Sequence, residues 1–119
     1  MGASEYKRVG KGKTAEVAFR NLGGGTDMGS YHGTIKQKPS CVEFPRPKGM
    51  RRATVIQAIN DLGRIGFDDD GNPKTDKVQA KYPKLRIAAM SEVYEDKWGP
   101  SLAIELAKGE YIFAGFASS

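Results

Sequence analysis

Glycine constrains the fold of this chain more than any other residue, because 15 of its 119 residues are glycine. That share is nearly twice the share usual in soluble domains. Glycine adopts positive φ angles at turns and bulges, and it weakens long helices and strands when it stands inside them. The glycines follow no fixed period, which excludes a collagen-like repeat. The chain is therefore expected to contain many short strands joined by tight turns.

The length and apolar content indicate one compact domain. The 119 residues are 39% hydrophobic and 28% charged, which suits a domain with a single core. We expect residues 14–119 to form that domain. Residues 1–13, MGASEYKRVGKGK, are expected to form a flexible basic arm, because they contain almost no apolar side chain to bury.

Alternation of apolar and polar residues predicts five to six strands. Three candidate strands lie in the first half of the chain, at 14–22, 30–37 and 41–44. Three further candidate strands lie near the end of the chain, at 84–94, 101–107 and 110–117, and together they predict an antiparallel meander. Pro39 and Ser40 precede the third candidate, and the proline predicts that this strand lies at a bend or at the edge of a sheet.

One helix is predicted, over residues 51–65. Its apolar residues recur every three or four positions and form one stripe along the helix. They are Val55, Ile56, Ile59, Leu62 and Ile65. The basic residues at its start oppose the helix dipole, and an arginine pair in that position also suits contact with phosphate.

The predicted order of three strands, one helix and further strands resembles an OB-fold. That fold is a five-stranded Greek-key barrel with a helix between its third and fourth strands. The prediction is therefore an α+β or mostly β fold, with an antiparallel sheet of five to six strands and one helix between strands 3 and 4. An OB-like barrel and an open sheet packed on the helix both fit this order.

The sequence contains no complete catalytic or metal-binding motif. GKGKT at 10–14 lacks the first glycine of a P-loop, whose place Lys7 takes. DDDGN at 68–72 lacks the later glycine and glutamate that an EF-hand loop requires. His32 and Cys41 are each the only residue of their type, which supports neither a zinc site nor a nucleophile-base pair. We expect no enzymatic activity, no metal and no cofactor.

Positive charge is concentrated in the first part of the chain. The net charge is +5, and up to Arg52 there are 11 lysines and arginines against four acidic residues. The remainder has eight basic and ten acidic residues. Such asymmetry favours a polyanionic partner.

The segment from Lys36 to Arg52 is the best candidate for contact with that partner. It contains one acidic residue and six cations, and its prolines hold it extended at little entropic cost. The cations are Lys36, Lys38, Arg46, Lys48, Arg51 and Arg52. Tyr31 and Trp98 lie beside predicted turns and are candidates for stacking on bases. These eight residues predict binding to single-stranded DNA or RNA with little sequence preference.

A second hypothesis is a protein-interaction or assembly subunit, for example a viral or phage structural or inhibitory protein. A glycine-rich domain with a basic arm suits that role, and it also suits a homo-oligomer. No apolar run approaches the roughly 20 residues that cross a bilayer, so no membrane partner is expected. The single cysteine is typical of a reducing compartment, and a cytoplasmic location is expected.

Overall fold

The protein folds around one mixed four-stranded sheet, as seen in a computed structural model that describes residues 2–29 and 32–118. The strands are β1 (Ala3–Lys11), β2 (Cys41–Phe44), β3 (Ser101–Ala107) and β4 (Glu110–Ser118). The helices are α1 (Ala15–Asn21), α2 (Arg52–Leu62), α3 (Asp76–Lys81) and α4 (Ile87–Glu95), with a 3-10 turn at Ile35–Gln37. The strand order is β1-β4-β3-β2, in which β2 runs parallel to β3 and the other neighbours are antiparallel.

The predicted fold class is wrong. The sequence predicts five to six antiparallel strands with one helix between strands 3 and 4, whereas the described residues form four strands and four helices. The sheet is mixed, and it has two edges, β1 and β2, so it is not an OB-like barrel. Two segments that were predicted as strands are helices, and the region predicted as an arm contains a strand.

The segment at 14–22, predicted as a strand, forms helix α1. Thr14 caps it, because the hydroxyl of Thr14 accepts a hydrogen bond from the backbone N–H of Val17 at 3.2 Å. The buried residues Ala15, Ala18 and Phe19 share one face. Their spacing of three and four is helical, and the alternation in the same short segment is coincidental.

The segment at 84–94, also predicted as a strand, contains helix α4. The buried residues Ile87, Met90, Ser91 and Tyr94 follow the helical spacing of three and four. The predicted alternation of Leu85, Ile87 and Ala89 covers only the beginning of the segment. The later residues therefore determine its structure.

Residues 1–13, predicted as a flexible basic arm, include strand β1. It pairs with β4 at nine positions, from Ala3 opposite Ser118 to Lys11 opposite Glu110. Tyr6 is its one large buried side chain. The backbone of an edge strand is held by its neighbour, so β1 forms with few apolar residues and leaves little periodic signal. In the candidate strand at 30–37, Ile35–Gln37 is a 3-10 turn.

Helices cover both faces of the sheet. One face packs against α2, α3 and α4 through residues that include Leu102, Ile104 and Leu106. The other face packs against α1 and the 3-10 turn through Ala103 and Phe113. Three residues of the apolar stripe predicted for α2, Val55, Ile59 and Leu62, are buried on the first face, and Ile56 and Ile65 pack against this core partly buried. Because both faces are covered, the loops at the two ends of the sheet are where distant segments meet at the surface.

Candidate nucleic-acid interface

The seven predicted binding residues that the structure describes do not form one surface. Lys36, Lys38 and Trp98 belong to segments near the start of β3. Arg46, Lys48, Arg51 and Arg52 belong to segments near its end. Tyr31 lies outside the described residues. β3 has seven residues, which separates the two groups by about 20 Å at about 3.3 Å per residue.

Contacts with the two ends of β3 establish this division. Ser101, the first residue of β3, donates its N–H to the carbonyl of Ser40, beside the segment that carries Lys36 and Lys38. Ala107, the last residue of β3, pairs with Glu110. Glu110 in turn forms an ion pair with Arg52 at 2.8 Å.

Lys38 is buried, with 1% of its surface exposed. Its Nζ donates to the carbonyl of Asp96 at 2.6 Å and lies 5.9 Å from the centroid of the Tyr6 ring. Burial lowers the pKa of Lys38 to about 8, because the charged ammonium loses its hydration. In this conformation Lys38 cannot contact a phosphate, and no local pattern in KQKPS indicates that the second lysine is buried rather than the first.

Replacing Lys38 by methionine is expected to remove a pH dependence of stability. The pKa falls from 10.5 to about 8 on folding, so between these values the unfolded chain binds more protons and stability rises with pH. The free energy of unfolding of the wild type, minus that of Lys38→Met, should therefore increase from about pH 8 upward. Urea unfolding of both proteins across this range measures the difference, and a constant difference contradicts the prediction.

Arg46 is engaged within the protein. Its guanidinium donates to the carbonyl of Met50 at 2.8 Å and to Glu105 at 3.2 Å. Its side chain is 28% exposed. Arg46 therefore ties the loop before α2 to β3, and its main effect is to position that loop.

Trp98 is exposed at the end of the sheet where β3 starts. Its exposed fraction is 53%, and the Nζ of Lys97 lies 5.8 Å from its ring centroid. Asp96 holds the loop, because its Oδ1 accepts hydrogen bonds from the N–H groups of Trp98 and Gly99. A base could stack on this ring, but the ring lies at the opposite end of the sheet from Arg51 and Arg52.

Basic residues from four segments meet at the end of the sheet where β3 terminates. We call this set the basic end: Lys11, Lys13, Lys48, Arg51, Arg52, Lys84 and Lys108. All seven are exposed. Only Lys48, Arg51 and Arg52 belong to the segment that the sequence singled out.

The first part of the basic end lies where β1 and α1 meet the turn between β3 and β4. The N–H of Gly12 donates to the carbonyl of Gly109 at 3.0 Å. Gly109 has a φ of 76°, a conformation that glycine adopts without strain. This contact brings Lys13 and Lys108 to one open hollow of about 660 Å³.

The second part lies at the start of α2, where Lys48, Arg51 and Lys84 line a hollow of about 430 Å³. Arg52 links the two parts through its ion pair with Glu110, the register partner of Lys11. The hydrogen bond from Arg52 lowers the pKa of Glu110, and the charge of Lys11 lowers it further. Glu110 is therefore ionised at neutral pH and offsets the charge of Arg52.

The other six cations of the basic end form no ion pair with an acidic side chain in the described part of the chain. No direct contact with an acidic side chain therefore offsets the positive charge of these six residues. Four of the seven were missed as site residues. Lys11 and Lys13 were predicted to lie in a flexible arm, and Lys84 and Lys108 belong to the part of the chain with net negative charge. Strand pairing brings Lys11, Lys13 and Lys108 together, and Lys84 joins them from the loop that follows α3. A local pattern reports neither arrangement.

Comparison with known proteins identifies no relative of this chain. No family model, no curated protein and no solved structure is significantly similar to the chain. The candidate site therefore stands on its own geometry.

Two further properties concern residues 2–29 and 32–118. No helix there is both long and apolar enough to cross a membrane. In the same ranges, no three His, Cys, Asp or Glu side chains are grouped so that they could hold a metal ion.

Proposed function

We propose that this protein binds nucleic acid, with the basic end as the contact surface for phosphates. The observation that carries the proposal is the convergence of seven lysines and arginines from four segments on one end of the sheet. Neutralising phosphates releases condensed counterions, and this release drives binding without reading the sequence of the strand. Low sequence preference follows, because contacts with phosphate position a strand but do not identify its bases.

Single-stranded DNA or RNA is the expected ligand. The cations lie on four separate segments at one end of a small domain, and a flexible strand can bend to follow them. A duplex is stiff over about 150 base pairs and would contact fewer of them at once. A nucleic-acid strand bound at the basic end would have to extend about 20 Å along the sheet to stack on Trp98. Charge therefore contributes more to the binding affinity than stacking in this proposal.

The test is a binding titration with a single strand of about 15 nucleotides at several salt concentrations. Four to six phosphate contacts predict a slope of log affinity on log salt of about −3 to −4, at about −0.7 per contact. Replacing Glu110 by glutamine frees Arg52, so the slope should steepen by about 0.7 and the affinity at about 0.1 M salt should rise about fivefold.

The matched control is Glu92→Gln, which removes the same charge from an exposed position on α4. A change at Glu92 as large as that at Glu110 would indicate a bulk charge effect rather than a contact at the basic end. Failure of the wild type to bind any strand at low salt would contradict the proposal.

The proposed role is binding without catalysis, in the cytoplasm. A partly exposed free thiol, Cys41, is compatible with a reducing compartment. A second candidate role, assembly with other copies or proteins, is favoured by the edge position of β1, whose nine residues pair with β4 on one side. Light scattering tests assembly with other copies, because that role predicts an oligomer of the isolated protein in the absence of nucleic acid.

A further inference from the structure

We infer that the hollow lined by Lys48, Arg51 and Lys84 is a site for a phosphate monoester at the end of a nucleic-acid strand. The inference rests on the proposed function and makes it more specific. It concerns one hollow within the basic end, and it starts from the chemistry of its lining.

The hollow combines positive charge with a small apolar wall. Its three cations come from two separate segments, because Lys84 follows α3 whereas Lys48 and Arg51 precede α2. Pro47 and Met50 supply apolar surface, and Thr54, whose side chain carries a hydroxyl group, also lines the hollow. No acidic residue lines the hollow in the described part of the chain.

The loop that carries two of these cations is held in place before any ligand arrives. Met50 donates its N–H to the carbonyl of Pro47 at 3.0 Å, which closes a turn around Lys48 and Gly49. Gly49 has a φ of 84°, which suits the third position of such a turn. The guanidinium of Arg46 fixes the end of the loop through Met50 and Glu105. A preformed loop loses little conformational entropy when it binds.

The electrostatics of the hollow favour an anion. α2 begins beside it, has no side-chain cap and has no acidic residue in its first turn. Lys48, Arg51 and Arg52 therefore lie at the positive end of the helix dipole, where cations are unfavourable and anions are stabilised. An anion bound among Lys48, Arg51 and Lys84 would relieve this repulsion.

A phosphate monoester fits the hollow better than an internal phosphodiester. A monoester carries a charge of about −1.5 to −2 at neutral pH and has three acceptor oxygens, so it can engage several cations around it. An internal phosphate carries one charge, and its strand continues in both directions, which suits an open surface such as that of Lys13 and Lys108. The volume of about 430 Å³ leaves room for a sugar against Pro47 and Met50.

The experiment compares oligonucleotides of one sequence with a 5′-phosphate, a 3′-phosphate or neither. At least one phosphorylated end should bind about tenfold more tightly than the unphosphorylated strand at about 0.1 M salt. A strand one nucleotide longer, without a terminal phosphate, is the control for added charge and should gain much less. The preference should weaken near pH 5, because the second pKa of a phosphate monoester is about 6.

Two variants test whether the hollow is responsible. Lys84→Ala should lower the preference for the phosphorylated end from about tenfold to about twofold, at about 0.7 log units per lost contact, whereas Lys108→Ala should weaken all strands equally and leave the preference intact. Both residues are exposed, and circular dichroism confirms that each variant is folded. An unchanged preference in Lys84→Ala would overturn the inference.

The outcomes separate this inference from the proposed function. Equal affinity for all three strands overturns the inference and leaves the proposed function in place. If no strand binds, the proposed function fails, and nuclear magnetic resonance with a nucleoside monophosphate then decides the site. Shifts of the amide signals from Lys48 to Thr54 would support a site for the monoester of a free nucleotide, and unchanged signals would overturn the inference as well.

Discussion

Removing four cations from the basic end is expected to lower the affinity for a single-stranded oligonucleotide by roughly 600-fold at about 0.1 M salt. The four residues are Lys13, Arg51, Lys84 and Lys108, all of them exposed. Each phosphate contact changes log affinity by about 0.7 between 1 M and 0.1 M salt, so four lost contacts remove about 2.8 log units. The slope of log affinity on log salt should become flatter by the same 2.8 or so.

A second fourfold variant provides the control for net charge. It replaces Lys36, Arg64, Lys74 and Lys77 by alanine. Arg64, Lys74 and Lys77 line a separate hollow beyond the end of α2, and Lys36 lies near the start of β3. Both variants have the same net charge, so only a local interface makes them differ. Equal loss of affinity in the two variants would contradict the assignment of the basic end.

Replacing Phe113 by alanine is expected to lower the free energy of unfolding by about 3–5 kcal/mol. Phe113 is fully buried on β4, an inner strand of the sheet. Its ring lies 5.9 Å from that of Phe19, tilted by 51°. Alanines contribute much of the surrounding cluster, among them Ala18 and Ala103, and such short side chains cannot move to fill a cavity. The loss would be a large part of the 5–15 kcal/mol typical of a domain.

Val17→Ala is the control for this substitution, because Val17 lies on α1 with 43% of its surface exposed. It should change the free energy of unfolding by less than about 0.5 kcal/mol. Urea unfolding followed by circular dichroism measures both variants. A cost below about 1 kcal/mol for Phe113→Ala would mean that α1 and the sheet do not pack closely on this face.

Several elements could be predicted from the sequence because their patterns are unambiguous. Helix α2 (Arg52–Leu62) lies within the predicted 51–65, since its apolar stripe excludes alternation. Strands β3 and β4 match the predicted segments at 101–107 and 110–117 closely. β2 (Cys41–Phe44) is a strand at the sheet edge, as Pro39 indicated.

Other elements could not be predicted in this way. In α1 and α4 a few apolar residues satisfy both alternation and helical spacing, and the cap at Thr14 and the burial of Tyr94 resolve the ambiguity. β1 is held by backbone pairing along β4, which produces no apolar period. The bounds of α4 and β1 therefore depended on contacts that are distant in the sequence, whereas α1 begins at a local cap.

The sequence by itself determined the excess of positive charge, the arginine pair at the start of α2 and the apolar stripe behind it. Only the tertiary structure decided which cations share a surface. It buries Lys38, where desolvation would be costly without the carbonyl of Asp96, and it ties Arg46 to Glu105. It also brings Lys84 and Lys108, which belong to the part of the chain with net negative charge, beside basic residues of the part with net positive charge. The reason is that strand pairing and the packing of loops and helices join distant parts of the chain, whereas periodicity describes only neighbours in sequence and composition describes no position at all.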